Sequence, residues 1–240
     1  LKGEKLPPGE FGVMHGYMKI PELKKVCHAY GVSINEYLVA VYVWSVYTEC
    51  MHGMPSERPV RVAVPVNLRP YFNSITTKNF FVMVSAEFHP TKEIYTFEEV
   101  LKSVSESLRS QISRENLEKL FSYNVSNEKL LAARIVPLFL KNLAMRYVYT
   151  TSALANTATV TNIGNISVSE EYRPYVEMFH AFLAMSKGQH LKGTICSYGD
   201  TLVFSFSYDL TDTSVQRGFF RKIAADGIAV EIETNGVNYE

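Results

Sequence analysis

Three polar clusters stand at the ends of apolar runs, and their residue types could do chemistry. Asn67-Leu68-Arg69 closes the run Val60–Val66, Asn79 opens the next, and Thr161-Asn162-Ile163-Gly164 closes a third. Asparagine offers both a donor and an acceptor, and arginine offers a fixed fork of donors. Thr161 adds a hydroxyl beside Asn162, and Gly164 permits close backbone approach. Gathered around one point, Asn67, Arg69, Asn79, Thr161, Asn162 and Gly164 would orient a carbonyl or a developing oxyanion. The same residue types also make turns. Asn and Gly favour turn and left-handed positions, and Arg69 can snorkel or pair with a carboxylate. The residues alone leave both readings open.

Strands must position such groups, since function in α/β sheets gathers at strand ends. The alternation of Val60, Val62, Val64 and Val66 predicts one strand, with Pro65 marking an edge or a terminus. Asn79–Phe88 reads as a second. The segment Tyr147–Ser169 carries no charge and is rich in Thr, Ser, Asn and Ala. It reads as a strand over roughly Thr157–Asn162 between polar flanks in a buried or interfacial zone. Tyr175–Met185 reads as a strand too. Leu191–Tyr198 and Thr201–Tyr208 read as a hairpin around Gly199-Asp200. Ile228–Ile232 reads as the last strand.

Helix signals separate these runs. Pro21 opens a short helix that Gly31 stops. Ser33 with Glu36 and Thr96 with Glu99 form capping boxes. The first opens a helix to about Met51 that is apolar nearly all round, as a helix buried between layers is. The second opens an amphipathic helix with Phe97, Val100, Leu101, Val104, Leu108 and Ile112 on one side. Helical patterns continue over Glu115–Val125 and Glu128–Tyr149, the latter restarted at Pro137. Thr213 caps a last helix that Gly227 ends. The order predicts an α/β layered sandwich, a mixed and largely antiparallel sheet covered by helices.

Composition removes several function classes. The chain has 240 residues, 47% of them hydrophobic, which suffices for a sizeable core and argues against disorder. Its 24 basic residues balance its 24 acidic ones, so it has no electrostatic footprint for nucleic acid or an anionic membrane. The most apolar run, Tyr37–Thr48, is 12 residues long, too short to span a bilayer. Residues 1–10 hold no secretory apolar region. Cys27, Cys50 and Cys196 are few, odd in number and without CxxC spacing, which favours reduced thiols in a cytoplasm. None of His15, His28, His52, His89, His180 and His190 sits in an HxxxD, HExxH or H-x-H pattern. His180 reads as a hydrogen-bonded core or interface histidine of its strand. No GxSxG, GxGxxG or GxxxxGK[ST] occurs, and no cluster of metal ligands stands out. Lys187, Lys192 and Arg173 are scattered and read as solvated surface charges, not as a phosphoadenosine site.

The runs VRVAVPVNLRPYF, KNFF, TVTNIGNISV and ICSYGDTLVFSFSYD, in that order, resemble one known group. The chain is similar to the C-terminal half of the chloramphenicol-acetyltransferase-like, CoA-dependent acyltransferases. These include alcohol acetyltransferases, non-ribosomal peptide condensation domains and wax ester synthase/diacylglycerol acyltransferases. The resemblance implies two similar α/β lobes with a substrate tunnel between them. An HHxxxDG motif on the N-terminal lobe supplies a base, which deprotonates an alcohol or amine for attack on a thioester of CoA or a carrier protein. On that reading Asn67 and Arg69 brace the tunnel wall, Asn79 begins a strand near it, and Thr161-Asn162 lies beside the thioester. Gly164 belongs to TNIGN, the stand-in for the DFGWG motif of some relatives.

This sequence has no HHxxxDG motif. The resemblance therefore implies a single lobe over residues 11–240 preceded by an interlobe linker over 1–10. The expected partners are its own N-terminal lobe and a small-molecule acyl donor and acceptor, with no nucleic acid and no membrane span. Acyl-CoA enters as a co-substrate, and no covalently bound cofactor is expected. Alone, the chain is expected to be inactive, and either to form a homodimer through the face that would meet its partner lobe or to be poorly soluble. The alternative is a non-catalytic binding module that kept the scaffold.

Overall fold

The computed structural model describes residues 1–129, 136–186 and 188–237. Seven strands form one sheet: β1 (Gly12–Lys19), β2 (Val60–Asn67), β3 (Phe81–Phe88), β4 (Ala158–Asn165), β5 (Leu191–Tyr198), β6 (Thr201–Tyr208) and β7 (Val230–Thr234). Their spatial order is β3-β2-β4-β5-β6-β1-β7. β4 runs parallel to β2 and to β5, and every other neighbouring pair is antiparallel. The predicted mixed, largely antiparallel sheet is borne out.

The helices are α1 (Ile20–Tyr30), α2 (Ile34–Ser45), α3 (Arg69–Phe72), α4 (Phe97–Gln111), α5 (Arg114–Lys129), α6 (Leu138–Leu154) and α7 (Ser214–Ala225). α2 starts where its capping box requires. The Glu36 N–H donates to Ser33 Oγ, and Ser33 N–H donates to Glu36 Oε2 at 2.7 Å. It runs on through a π-helical turn, Val46–Cys50. Tyr37 to Val43 are all buried, because α4 and α7 flank the helix and the sheet lies beneath it. On the sheet, Val62, Val64, Val82, Val84, Val160, Ile195, Phe204 and Phe206 supply the facing half of the core. Phe204 and Phe219 approach to 4.3 Å between ring centres. A Cβ on Gly16 would lie 2.1 Å from the Phe220 ring, so β1 and α7 meet closely only with glycine there.

Several local expectations need correction. β1 was not foreseen. Its core-facing positions are Met14, Gly16 and Met18, whose types carry little strand signal, yet it pairs with β6 and β7 inside the sheet. Tyr175–Met185 is not a strand. A 3₁₀ turn, Arg173–Tyr175, leads into a run without ladder partners. β5, the strand it crosses, is already paired on both edges. The run crosses the sheet face opposite the helices, where Cys196 Sγ meets Phe179 O and Lys192 Nζ donates to Ala184 O. The first third of the chargeless stretch, to Leu154, is helical, and β4 continues past Asn162 through a bulge.

Smaller shifts also occur. The final strand lies two residues later than expected. Thr213 makes no side-chain cap, and Asp212 Oδ1 accepts the Ser214 N–H instead. Pro65 sits in an inner strand, beyond Ala63, the last β2 residue paired with β4. Part of the helix expected over Glu128–Tyr149 falls at 130–135, outside the described residues; after Pro137 the chain is helical. Residues 4–6 are held against the segment after β6 by Leu6 N–H to Asp209 O and Thr211 N–H to Glu4 O.

Candidate functional site

The parallel strands β2, β4 and β5 bring their C-terminal ends to one side of the sheet. Asn67 ends β2 and Thr161-Asn162 lies near the end of β4, so topology places both clusters at that side. Arg69 begins the short α3, and its guanidinium turns into the following loop. Nε donates to Thr76 O at 2.8 Å, Nη2 to Lys78 O at 2.6 Å and Nη1 to Asn67 Oδ1 at 3.2 Å. Asn67 Oδ1 also accepts the Arg69 N–H at 3.1 Å. Asn67 and Arg69 thus fold the loop 73–80 onto the strand end, where Leu68 N–H reaches Phe80 O. Asn79 lies exposed in that loop, two residues before β3.

On β4, Asn162 Oδ1 accepts the Gly164 N–H at 2.8 Å, and Asn162 Nδ2 donates to Asn35 Oδ1 at 3.4 Å. Gly164 has φ 85° and open space where a Cβ would stand. Its left-handed conformation makes the bulge between Asn162 and Gly164, after which pairing to β5 resumes in a shifted register at Gly164–Cys196 and Asn165–Ser197. Thr161 faces Thr194 across that ladder. Among the described residues the Thr161 hydroxyl and the Asn79 amide make no hydrogen bond, and none joins the β2 cluster to the β4 cluster. So four of the six residues are engaged in shaping the strand ends. Thr161 and Asn79 keep free polar groups there.

A second cluster escaped the sequence. On the face opposite the helices, Tyr17 OH lies 2.7 Å from His180 Nε2 and donates to Glu233 Oε2. His15 Nδ1 lies 2.7 Å from Ser205 Oγ, and the two imidazoles stand 4.6 Å apart. Burial and the neighbouring His180 lower the His15 pKa, against an opposing pull from Glu233. Burial and the Glu233 carboxylate raise that of Tyr17. An open cleft of about 1090 Å³ adjoins Tyr17, Glu177, His180, Glu231 and Glu233. The chain Glu233–Tyr17–His180 can hold or pass a proton at the cleft wall. His180 is exposed and hydrogen-bonded there, not inside a strand. The period-2 spacing of His15 and Tyr17, which puts both on one face of β1, is the one sequence signal that could have joined them.

Lys192 is buried, contrary to the expected surface charge. Arg173 is exposed and pairs with Glu170, whereas Lys187 lies outside the described residues. Among the described residues no group of three or more His, Cys, Asp or Glu is placed to hold a metal ion, and no helix is long and apolar enough to cross a membrane.

No protein-family model matches the sequence, and no curated protein matches it. Solved structures do match. TRI101 of F. sporotrichioides, complexed with coenzyme A and T-2, superimposes with a TM-score of 0.62 at 11% identity, over 95% of this chain and 53% of that one. TRI3 trichothecene 15-O-acetyltransferase from Fusarium sporotrichioides gives 0.61 at 13% identity, over 94% and 48%. A wax ester synthase/diacylglycerol acyltransferase from Marinobacter aquaeolei VT8 gives 0.52 at 16% identity, over 94% and 51%. The likeness shows that the chain shares the fold of these acyltransferase structures. The chain spans about half the length of these structures.

Proposed function

We propose that this chain is the C-terminal lobe of a thioester-dependent acyltransferase. In this reading residues 1–10 link it to an upstream lobe that carries the general base, and residues 11–240 form the second wall of the substrate tunnel. One observation carries the proposal: nearly the whole chain superimposes on enzymes with this fold, yet it covers only about half of each. The strand-end geometry supports it. Asn67 and Arg69 shape the wall, and Gly164 and the Asn162 turn set the direction of β4 past its bulge. The free Thr161 hydroxyl and Asn79 amide then serve as donors toward the donor carbonyl or the acceptor. Acyl-CoA or a carrier-protein thioester supplies the acyl group, and an alcohol or amine accepts it. The reading includes a cytoplasmic setting and, for the lobe alone, self-association through its uncovered face.

The test compares this chain with the protein joined to its upstream lobe, following thiol release from acetyl-CoA with simple alcohols and amines. Acceptor-dependent release by the joined protein and none by this chain is the expected result. Turnover by this chain alone overturns the two-lobe reading. If the joined protein releases no thiol from acetyl-CoA or from pantetheine thioesters, the binding-module reading replaces the enzyme.

A further inference from the structure

The sheet face opposite α2, α4 and α7 holds a lysine without a counter-ion among the described residues. Lys192, on β5, is 8% exposed. Its ammonium donates to Ala184 O at 2.8 Å, and among the described residues no carboxylate pairs with it. A buried ammonium loses much hydration free energy, which one carbonyl does not restore. Burial accordingly lowers its pKa. Lys192 lines an open cleft of about 690 Å³. Beside it, Gln189 Oε1 accepts the Thr159 hydroxyl at 3.1 Å, which leaves the Gln189 amide Nε2 as a second donor. The rest of the lining is mixed, with Ser85 and Asn156 among its polar members, and its apolar part includes Phe81 and Met83, 49% and 46% exposed on β3, with Leu120 of α5 and Tyr149 of α6.

We propose that this cleft binds an amphipathic carboxylate, a free medium-chain fatty acid being the simplest example. The carboxylate meets Lys192 Nζ and Gln189 Nε2, and the alkyl chain lies along Phe81, Met83 and Leu120. Two features select this class. The cation lacks an anion among the described residues, and its donors share a cleft with exposed apolar side chains that can cover hydrocarbon. A small inorganic anion would leave those side chains wet, and a neutral lipid would leave the ammonium unpaired. The inference does not depend on acyl transfer, because it rests on this chain's own cleft.

Calorimetric titration of this chain with decanoate, below its micelle concentration, tests it. One decanoate should bind per chain. Lys192→Met should weaken binding by about tenfold or more, the loss expected of a charge-assisted hydrogen bond. Circular dichroism of Lys192→Met should show the wild-type fold, since an isosteric apolar side chain suits a buried site. Should that variant fail to fold, Gln189→Leu serves instead, with an expected weakening of about threefold. 1-Decanol should bind more weakly than decanoate. Equal binding of decanoate by wild type and the folded variant, equal binding of decanol and decanoate, or no saturable heat from decanoate each overturns the proposal.

Discussion

Replacing Arg69 separates the two readings of the strand-end cluster. The structure commits its guanidinium to the loop 73–80, through Nε to Thr76 O at 2.8 Å and Nη2 to Lys78 O at 2.6 Å. Hydrogen bonds from a charged donor contribute about 1.5–3 kcal/mol each, and partial exposure of Arg69 reduces that to about 1 kcal/mol apiece. Arg69→Met keeps the aliphatic stem and removes both bonds, so it should cost about 2 kcal/mol. For a domain of this size that lowers Tm by about 4–8 °C. Urea denaturation gives the free energy, and hydrogen exchange locates it. The Leu68 N–H, bonded to Phe80 O, should exchange faster in the variant while the amides of β5 and β6 keep their protection. Arg69→Lys should recover less than half of the loss, because one ammonium cannot span both carbonyls. An Arg69→Met protein within about 0.5 kcal/mol of wild type, with Leu68 exchange unchanged, would refute the brace. The guanidinium would then be available to a ligand, as the oxyanion reading requires.

Two further outcomes follow from the core and the α2 cap. Burial would raise the Glu36 carboxyl, but bonds from Arg109 and from Ser33 outweigh it and hold the pKa below the usual carboxylate range. A depressed folded-state pKa stabilises the protein above the unfolded value of about 4.3 and ceases to do so as pH falls through the folded value. Glu36→Gln should therefore be less stable than wild type at neutral pH, and denaturation curves should converge as pH falls through the lowered folded value; a gap that persists into strong acid would show that charge is not its source. The Tyr42 hydroxyl is fully buried with no hydrogen-bond partner among the described residues. Tyr42→Phe should be neutral or more stable by up to about 1 kcal/mol, and a loss of that size on denaturation would show that the hydroxyl is satisfied after all.

The sequence by itself determined what neighbours along the chain decide. Ser33 with Glu36 and Thr96 with Glu99 marked two helix starts, because a capping box closes within four residues. Gly199-Asp200 fixed the hairpin of β5 and β6 and its register. The order of the polar strand ends was enough to suggest the fold that the chain shares with solved acyltransferase structures. Tertiary structure alone decided the rest. β1, poor in strand signal, is an inner strand because β6 and β7 flank it. The sequence could offer the Arg69 fork to a ligand, but Thr76 and Lys78 present their carbonyls only once the loop has folded back. Tyr17 meets partners 163 and 216 residues away. Lys192 reads as a surface charge until the run 176–185 covers the sheet face above it. The physical reason is common to these cases. Caps, turns and alternation act over a few residues, whereas burial and pairing depend on which distant strand becomes a neighbour.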